Sequence, residues 1–309
     1  MLTFFTTAKP FEGHNGIIQR NALQSWKLLH PDIEIILFGN EEGTAEVARE
    51  MGARHEPQIE CNEFGTPLLS YMFRRAQEIS RYDWVCYSNA DIIQTQEFRR
   101  AFERAVAWGR PLLMVGQRWD LDIAAPLEFS RPGWGEELTR TARARGLLRS
   151  QDWIDYFVLS RKLRLEMLPF AVGRPAWDNW TIWKVRSSGA PVLDATPSVV
   201  AIHQNHDYSH HPQGVQGSRF GEEFQRNRAL VGSWRRLNTL ADATHVLEAQ
   251  AIRRTHRHLA AQAKREWQHA WMRTRTAVLD LTKPLRHRLG LRQETISRFK
   301  TALLGRQKP

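Results

Sequence analysis

DWVCYSNADII, residues 83–93, joins an apolar run to the polar triplet Asn89-Ala90-Asp91, and the fold turns on how this stretch is read. Val85, Cys86 and Tyr87 favour extended backbone, and residues 82–93 are too few for a helix of ordinary length, so the run reads as a buried strand. Open α/β sheets bind ligands in the crevice beyond the carboxyl ends of their strands, which is where this strand would deliver Asp91. There the carboxylate can meet a ligand or an ion. It can equally cap the helix expected over TQEFRRAFERAV, residues 95–106.

Upstream, LTFFTT at 2–7 reads as a first strand, followed by the loop AKPFEGHNG and by Ile17, Ile18, Ala22, Trp26 and Leu29 at helical spacing. IEIILF at 33–38 is a nearly continuous apolar run of the kind buried on both faces of a parallel sheet, and it ends in Gly39-Asn40. Helices are expected over 44–51 and 66–79, the second with Pro67 in its first turn. Downstream, PLLMVGQ at 111–117 and QDWIDYFVLS at 151–160 read as strands, separated by an Arg-rich insertion with an amphipathic piece at 136–148. A helix over 180–186 and strands at 190–193 and 199–202 complete the pattern. This alternation predicts a mostly parallel, Rossmann-like α/β sheet with flanking helices.

The chain has 309 residues and a net charge of +11, unevenly spread. Residues 1–232 carry 27 Lys+Arg against 28 Asp+Glu, whereas residues 233–309 carry 17 against 5. From Ser233 glycine nearly vanishes, and Leu259, Ala263, Trp267, Trp271, Val278, Leu281 and Leu285 recur at intervals that mark one apolar face of a long helix. The expected organisation is a catalytic domain at 1–232 and a basic, amphipathic helical tail at 233–309. Two cysteines, Cys61 and Cys86, form no disulfide framework, and the amino terminus lacks the pattern of a signal peptide. No run approaches the ~20 apolar residues needed to span a bilayer. A cytoplasmic location is expected, with the tail as a means of reaching the inner face of a membrane.

Three clusters can carry chemistry: Asn89-Ala90-Asp91, Trp177-Asp178-Asn179-Trp180 and His203-Gln204-Asn205-His206-Asp207. Carboxylates and neutral imidazoles suit Mg²⁺ or Mn²⁺ bound beside phosphates, so Asp91 with His203 or His206 is a candidate metal set. The same histidines can simply cap strand ends. Asp178 lies between two tryptophans, whose burial would raise its pKa toward that of a general base, and flat indole faces pack against sugars. The alternative is a helix cap with Trp177 and Trp180 in the core. Asp152 and Asp155 share the run at 151–160, so one of them can face the crevice.

LTFFTT, IEIILFGN, the helix opened by TPLL, and YSNADII in place of an aspartate-x-aspartate triplet together resemble the nucleotide-sugar transferases of the glycosyltransferase-A fold. DYFVLS, PFAVGRPAWDNW and VVAIHQNHDYSH are similar to blocks in bacterial and plant proteins of that type, and the resemblance covers residues 1–225. It implies a glycosyltransferase using a nucleotide-sugar donor, a divalent cofactor (Mn²⁺ or Mg²⁺) and a saccharide, lipid-linked or protein acceptor. Thr6, Thr7, Gly39 and Asn40, with Asn89, would line the nucleotide pocket. Asp91 would bind the metal, with His203 or His206 completing its shell, and Asp178 would act as base. Asp155, Trp177, Trp180, Arg118 and Arg174 would position the acceptor or balance the leaving diphosphate. Asn89 departs from the triplet and removes one negative charge.

Two other classes fit parts of the chain. A metal-dependent hydrolase or nucleotidyltransferase would use the histidines at 203–211, but they form no compact paired motif such as HExxH or His-x-His-x-Asp. A nucleic-acid-binding role would use the basic tail, yet it leaves the three clusters unexplained. The tail has its own alternatives: an anionic membrane surface, a protein partner, or packing on the catalytic domain.

Overall fold

The computed structural model describes residues 1–206 and 221–281; for 272, 273 and 275–281 the backbone alone is described. Asp207, His210, His211 and Leu285, which the sequence reading touched, lie outside the described residues. In chain order the elements begin with β1 (Thr3–Thr7), α1 (Gly13–Lys27), β2 (Glu34–Phe38), α2 (Thr44–Met51), β3 (Arg54–Glu56) and α3 (Leu69–Ile79). They continue with β4 (Trp84–Ser88), β5 (Ile92–Ile93), α4 (Gln96–Ala107), β6 (Leu113–Leu121), α5 (Trp134–Arg145), β7 (Leu147–Leu148) and β8 (Ile154–Ser160). The remainder are α6 (Trp177–Ser187), β9 (Val192–Asp194), β10 (Ala201–Gln204), α7 (Glu222–Val231), β11 (His245–Leu247), β12 (Ile252–Arg254) and α8 (Arg257–Leu281).

The main sheet runs β12-β11-β9-β6-β8-β4-β1-β2-β3. β3, β2, β1 and β4 are mutually parallel, β8 is antiparallel between β4 and β6, and β6 runs parallel to β9. This mostly parallel mixed sheet between helices is the Rossmann-like α/β architecture expected from the sequence. Strand order reverses beside β1, whose successors β2 and β3 lie on one side and β4 on the other, so the crevice beyond the ends of β1 and β4 is the topological switch point.

Period two explains both cores, because successive side chains of a strand point to opposite faces. Phe4, Cys86, Tyr156 and Val158 join Trp26 of α1 and Phe98 of α4 on one face. Phe5, Val85, Tyr87 and Phe157 join Phe73 of α3 and Trp177 and Trp180 of α6 on the other. Strands covered on both faces are largely apolar, and β8 is buried along its whole length, its Asp155 included.

Several boundaries differ from the sequence reading for local reasons. The stretch 82–93 is two strands, because the triplet turns between β4 and β5, closed by the Ile92 N–H donating to the Asn89 carbonyl (3.2 Å). α3 begins at Leu69, since Pro67 and Leu68 form bridges to Cys61 and Ala171 instead of a first helical turn. α6 begins at Trp177, so Trp177-Asp178-Asn179-Trp180 is its first turn and not a loop. Asp152 precedes β8. The compact unit runs Met1–His258 and the second begins at Leu259. Residues 233–258 share the tail's composition but bury Leu240, Ala243 and Leu247 and place β11 beside β9, and this pairing keeps them in the first unit.

Candidate active site

β6 turns the sheet toward the site. Its first half pairs with β8 and β9, and after a register shift between Val115 and Gln117 its second half pairs with β10 and β7. β10 lies between β6 and β5, and its register sets His203 opposite Asp120 on one side and opposite Ile92, the residue after Asp91, on the other. Side chains in register share a face. The imidazole of His203 is therefore held between two carboxylates, its Nδ1 3.2 Å from Asp120 Oδ1 and its Nε2 3.7 Å from Asp91 Oδ2.

His206 approaches the same oxygen, with Nε2 3.2 Å from Asp91 Oδ2. Ligand atoms of Asp91, His203 and His206 all lie within 4.8 Å of one another. Three observations fit a cation there. Asp91 Oδ1 is buried and accepts no hydrogen bond. Asp120 favours a proton on His203 Nδ1, which leaves the Nε2 lone pair facing Asp91, the carboxylate–histidine arrangement that orients metal-bound imidazoles. Two nitrogens and a carboxylate also make a donor set for a divalent ion. Burial would push the Asp91 carboxyl up, but the His203 and His206 imidazoles and the Arg118 guanidinium outweigh it and hold the group well below its ordinary range. Asp120 is lowered too, against its burial, by His203 and Arg118.

The Asp91 backbone is anchored by Gln204, which is fully buried. Gln204 donates to the Asp91 carbonyl from both its main-chain N–H (3.3 Å) and its side-chain amide Nε2 (3.1 Å), and its Oε1 accepts from Asn21 Nδ2 (3.0 Å). Sequence alone assigns Gln204 no role, although it lies inside the third cluster, and passes over Asp120, two residues after the candidate Arg118.

A second set of contacts extends from Asp120. Arg118 Nε lies 2.8 Å from Asp120 Oδ1, while its Nη1 donates to Asp155 Oδ2 (2.9 Å). Asp155 Oδ1 accepts from Asn89 Nδ2 (2.6 Å), and its carbonyl accepts the Asn89 N–H (3.0 Å). Asn89 is thus paired with a carboxylate from β8. The Arg118 and Arg149 guanidiniums lie 4.6 and 4.1 Å from the Trp153 ring, which they share. Tyr87 is buried close enough to Asp155 and Asp91 for burial first, and their charges next, to raise its hydroxyl far above the ordinary range.

Asp178 sits in the first turn of α6, entered through Ala176 at φ +95°. A non-glycine residue in the left-handed region costs about 1–3 kcal/mol and has to be held by its surroundings. Asn227 of α7 holds it, donating from Nδ2 to the carbonyls of Ala171 (3.2 Å), Arg174 (3.2 Å) and Pro175 (3.4 Å) and accepting the Ala171 N–H (2.9 Å). Asp178 Oδ1 accepts the Asn179 N–H (2.8 Å). Burial pushes the Asp178 carboxyl up to about 7, with the charges of Asp155 and Asp152 adding to it and the Asn179 N–H opposing.

Other candidates lie elsewhere or are already engaged. Trp177 packs on Tyr87 and Phe157 (5.1 and 4.8 Å), and Trp180 on Phe170 (5.4 Å), so both are core residues and neither offers a face to a sugar. Arg174 is paired with Glu223 of α7 (2.5 Å), which also accepts from Asn62 (2.8 Å). Thr7 meets Gly39 where β1 and β2 end, since Gly39 has φ +92° and a Cβ there would lie 3.3 Å from Thr7 Oγ1. Contrary to the expectation from sequence, Thr6 is fully buried and does not line the crevice. His55 closes this corner with Nε2 2.9 Å from the Gly39 carbonyl, and Asn40 is exposed.

Searches against protein-family models and curated proteins find no match. Among solved structures, the chain is similar to glucosyl-3-phosphoglycerate synthase from Mycobacterium tuberculosis in complex with Mg²⁺ and uridine diphosphate, at 17% identity over 75% of this chain and 78% of that one, with a TM-score of 0.45. The complex of that synthase with Mn²⁺, uridine diphosphate and phosphoglyceric acid gives 16% identity over the same shares, again at 0.45. A further mycobacterial protein is similar at 15% identity over 67% of this chain and 68% of that one, with a TM-score of 0.37.

Proposed function

We propose that the chain transfers a glycosyl group from a nucleoside-diphosphate sugar to an acceptor hydroxyl. The observation that carries this reading is the convergence of Asp91, His203 and His206 within 4.8 Å beside the switch point of the sheet. A divalent ion held by these three groups would neutralise the charge that develops on the departing diphosphate. Thr7, Gly39 and Asn40 would line the nucleotide end of the crevice, with Asn89 held beside it by Asp155. In the reaction the bond from the anomeric carbon to the diphosphate oxygen breaks and a bond to the acceptor oxygen forms. The acceptor's proton passes to Asp178, whose Oδ1 already accepts the Asn179 N–H, leaving Oδ2 as the receiving atom. A carboxyl with a pKa of about 7 is matched to that task near neutral pH. Arg118 is committed to Asp155 and Asp120, so its role is to position these carboxylates.

Calorimetry with UDP-, GDP-, CMP- and dTDP-sugars, with and without Mn²⁺, tests the reading on wild type and Asp91→Ala. Mn²⁺-dependent binding of one nucleotide sugar, lost in Asp91→Ala, is the expected outcome. If Mn²⁺ binds and no nucleotide sugar does, the transferase reading fails and a metal-dependent hydrolase takes its place.

A further inference from the structure

α8 presents an apolar stripe to solvent. With about 3.6 residues per turn, Leu259, Ala263, Trp267, Ala270, Trp271 and Thr274 fall within about one third of the helix circumference. All six are exposed, Leu259 by 58%, Trp267 by 67% and Trp271 by 53%. Large apolar side chains left so open on one face mark a surface that another phase or molecule covers. The stripe is rich in alanine and tryptophan and lacks the repeating leucines of a coiled-coil seam, and indole rings favour the boundary between water and hydrocarbon.

Charge selects the occupant. α8 carries Arg257, Lys264, Arg265, Arg273 and Arg275 against Glu266 and Asp280, and residues 282–309 add eight basic residues against one acidic residue. Among the described residues no helix is long and apolar enough to cross a membrane. A helix of this kind lies in the plane of an anionic bilayer, its tryptophans at the headgroup boundary and its basic side chains toward the acidic lipids.

We infer that α8 is an interfacial helix that binds the chain to anionic membrane surfaces through Leu259, Trp267 and Trp271. The inference stands independently of the transferase reading, and its test involves no sugar.

Vesicle flotation of the full-length protein decides it, using phosphatidylcholine vesicles with and without roughly 30% phosphatidylglycerol at physiological ionic strength. Wild type is expected to float with the anionic vesicles and to stay behind with neutral ones. Trp267→Ser/Trp271→Ser, which touches only exposed positions, should lower the vesicle partition coefficient by about tenfold or more, and the double Trp→Phe variant should retain most of it. Circular dichroism confirms that both variants keep their helix. Wild type that fails to float overturns the inference. So does a Trp→Ser variant that floats as well as wild type, since charge alone would then account for binding. Salt-sensitive binding to random-sequence duplex DNA with no flotation would reassign the surface to nucleic acid.

Discussion

Asn89 occupies a position where a second carboxylate would be expected to help a cation, yet its neighbours require an amide. Nδ2 donates to Asp155 Oδ1 at 2.6 Å, and Asp155 is buried with Arg118 on its other oxygen. Asn89→Asp would remove the donor and set two carboxylates against each other, at a cost of about 2 kcal/mol. The expected outcome is a melting temperature lower by about 4 °C or more and no gain in Mn²⁺ affinity, read by thermal unfolding and calorimetry. Asp178 makes the second prediction at this scale. Its folded pKa of about 7 lies above the ordinary 3.8, so the folded state holds this proton more tightly than the unfolded state. The neutral form's stabilising contribution is complete below the ordinary pKa and is lost as pH rises toward 7. Asp178→Asn removes the ionisation, so its melting temperature relative to wild type should climb between pH 5 and pH 8, as measured by unfolding at about those two values. The same change should lower kcat/KM by about 10²–10⁴-fold and erase an ascending limb near neutral pH. A variant as active as wild type would leave Asp178 a helix-start residue only.

At the scale of elements, β6 does the most to build the site, because one strand serves two sheets. The bend near Gly116 lets Leu113–Val115 pair in the main sheet while Arg118 and Asp120 meet β10. A Cβ at Gly116 would overlap the Tyr156 hydroxyl and crowd the Thr196 N–H at 3.2 Å. Tyr156 is fully buried and cannot swing aside. Gly116→Ala should therefore destabilise the protein by about 1–3 kcal/mol, seen as a lower denaturant midpoint, and should weaken Mn²⁺ binding by shifting Asp120. Unchanged stability would mean that the strand bends without needing the space. α7 acts in a comparable way at a distance, since Asn227 holds the backbone that aims Asp178 without touching the crevice's polar groups.

At the scale of the molecule, the two parts differ in charge, residues 1–232 being near neutral and residues 233–309 strongly basic. The unit Met1–His258 contains the candidate metal centre, whose two imidazoles favour a transition-metal ion over Mg²⁺. Mn²⁺ is expected to bind more tightly than Mg²⁺ and to raise the melting temperature, by about 2.7 kcal/mol of added stability at a hundredfold excess over Kd. Asp120→Asn should weaken Mn²⁺ binding by about 10–100-fold through His203 while leaving the three ligands intact. Titration calorimetry reads both effects, and equal affinity for the two ions would argue that the imidazoles do not ligate.

The longer strands were legible in the sequence because a strand covered on both faces is nearly continuous in apolar residues, as IEIILF and DYFVLS are, and helices must repeat their apolar residues every three or four positions, whereas the short β7, β11 and β12 carry no such run. Asp91, His203 and His206 were legible as candidates because polar residues following apolar strands end up at the rim of a sheet, and Asp178 because it lies between two tryptophans. Which of them meet is a matter of register between segments more than a hundred residues apart in places, as with Asp91 and His203 at 3.7 Å. No local pattern encodes that pairing. Only the tertiary structure brings Asp120 behind His203, gives Asn89 its partner in Asp155, and turns Trp177 and Trp180 inward, since an indole beside an acid looks the same in sequence whether it faces a crevice or a core. The segment 233–258 joins the sheet for the same reason: composition reports which residues are present, while burial of Leu240 and Leu247 depends on the strand that lies beside them.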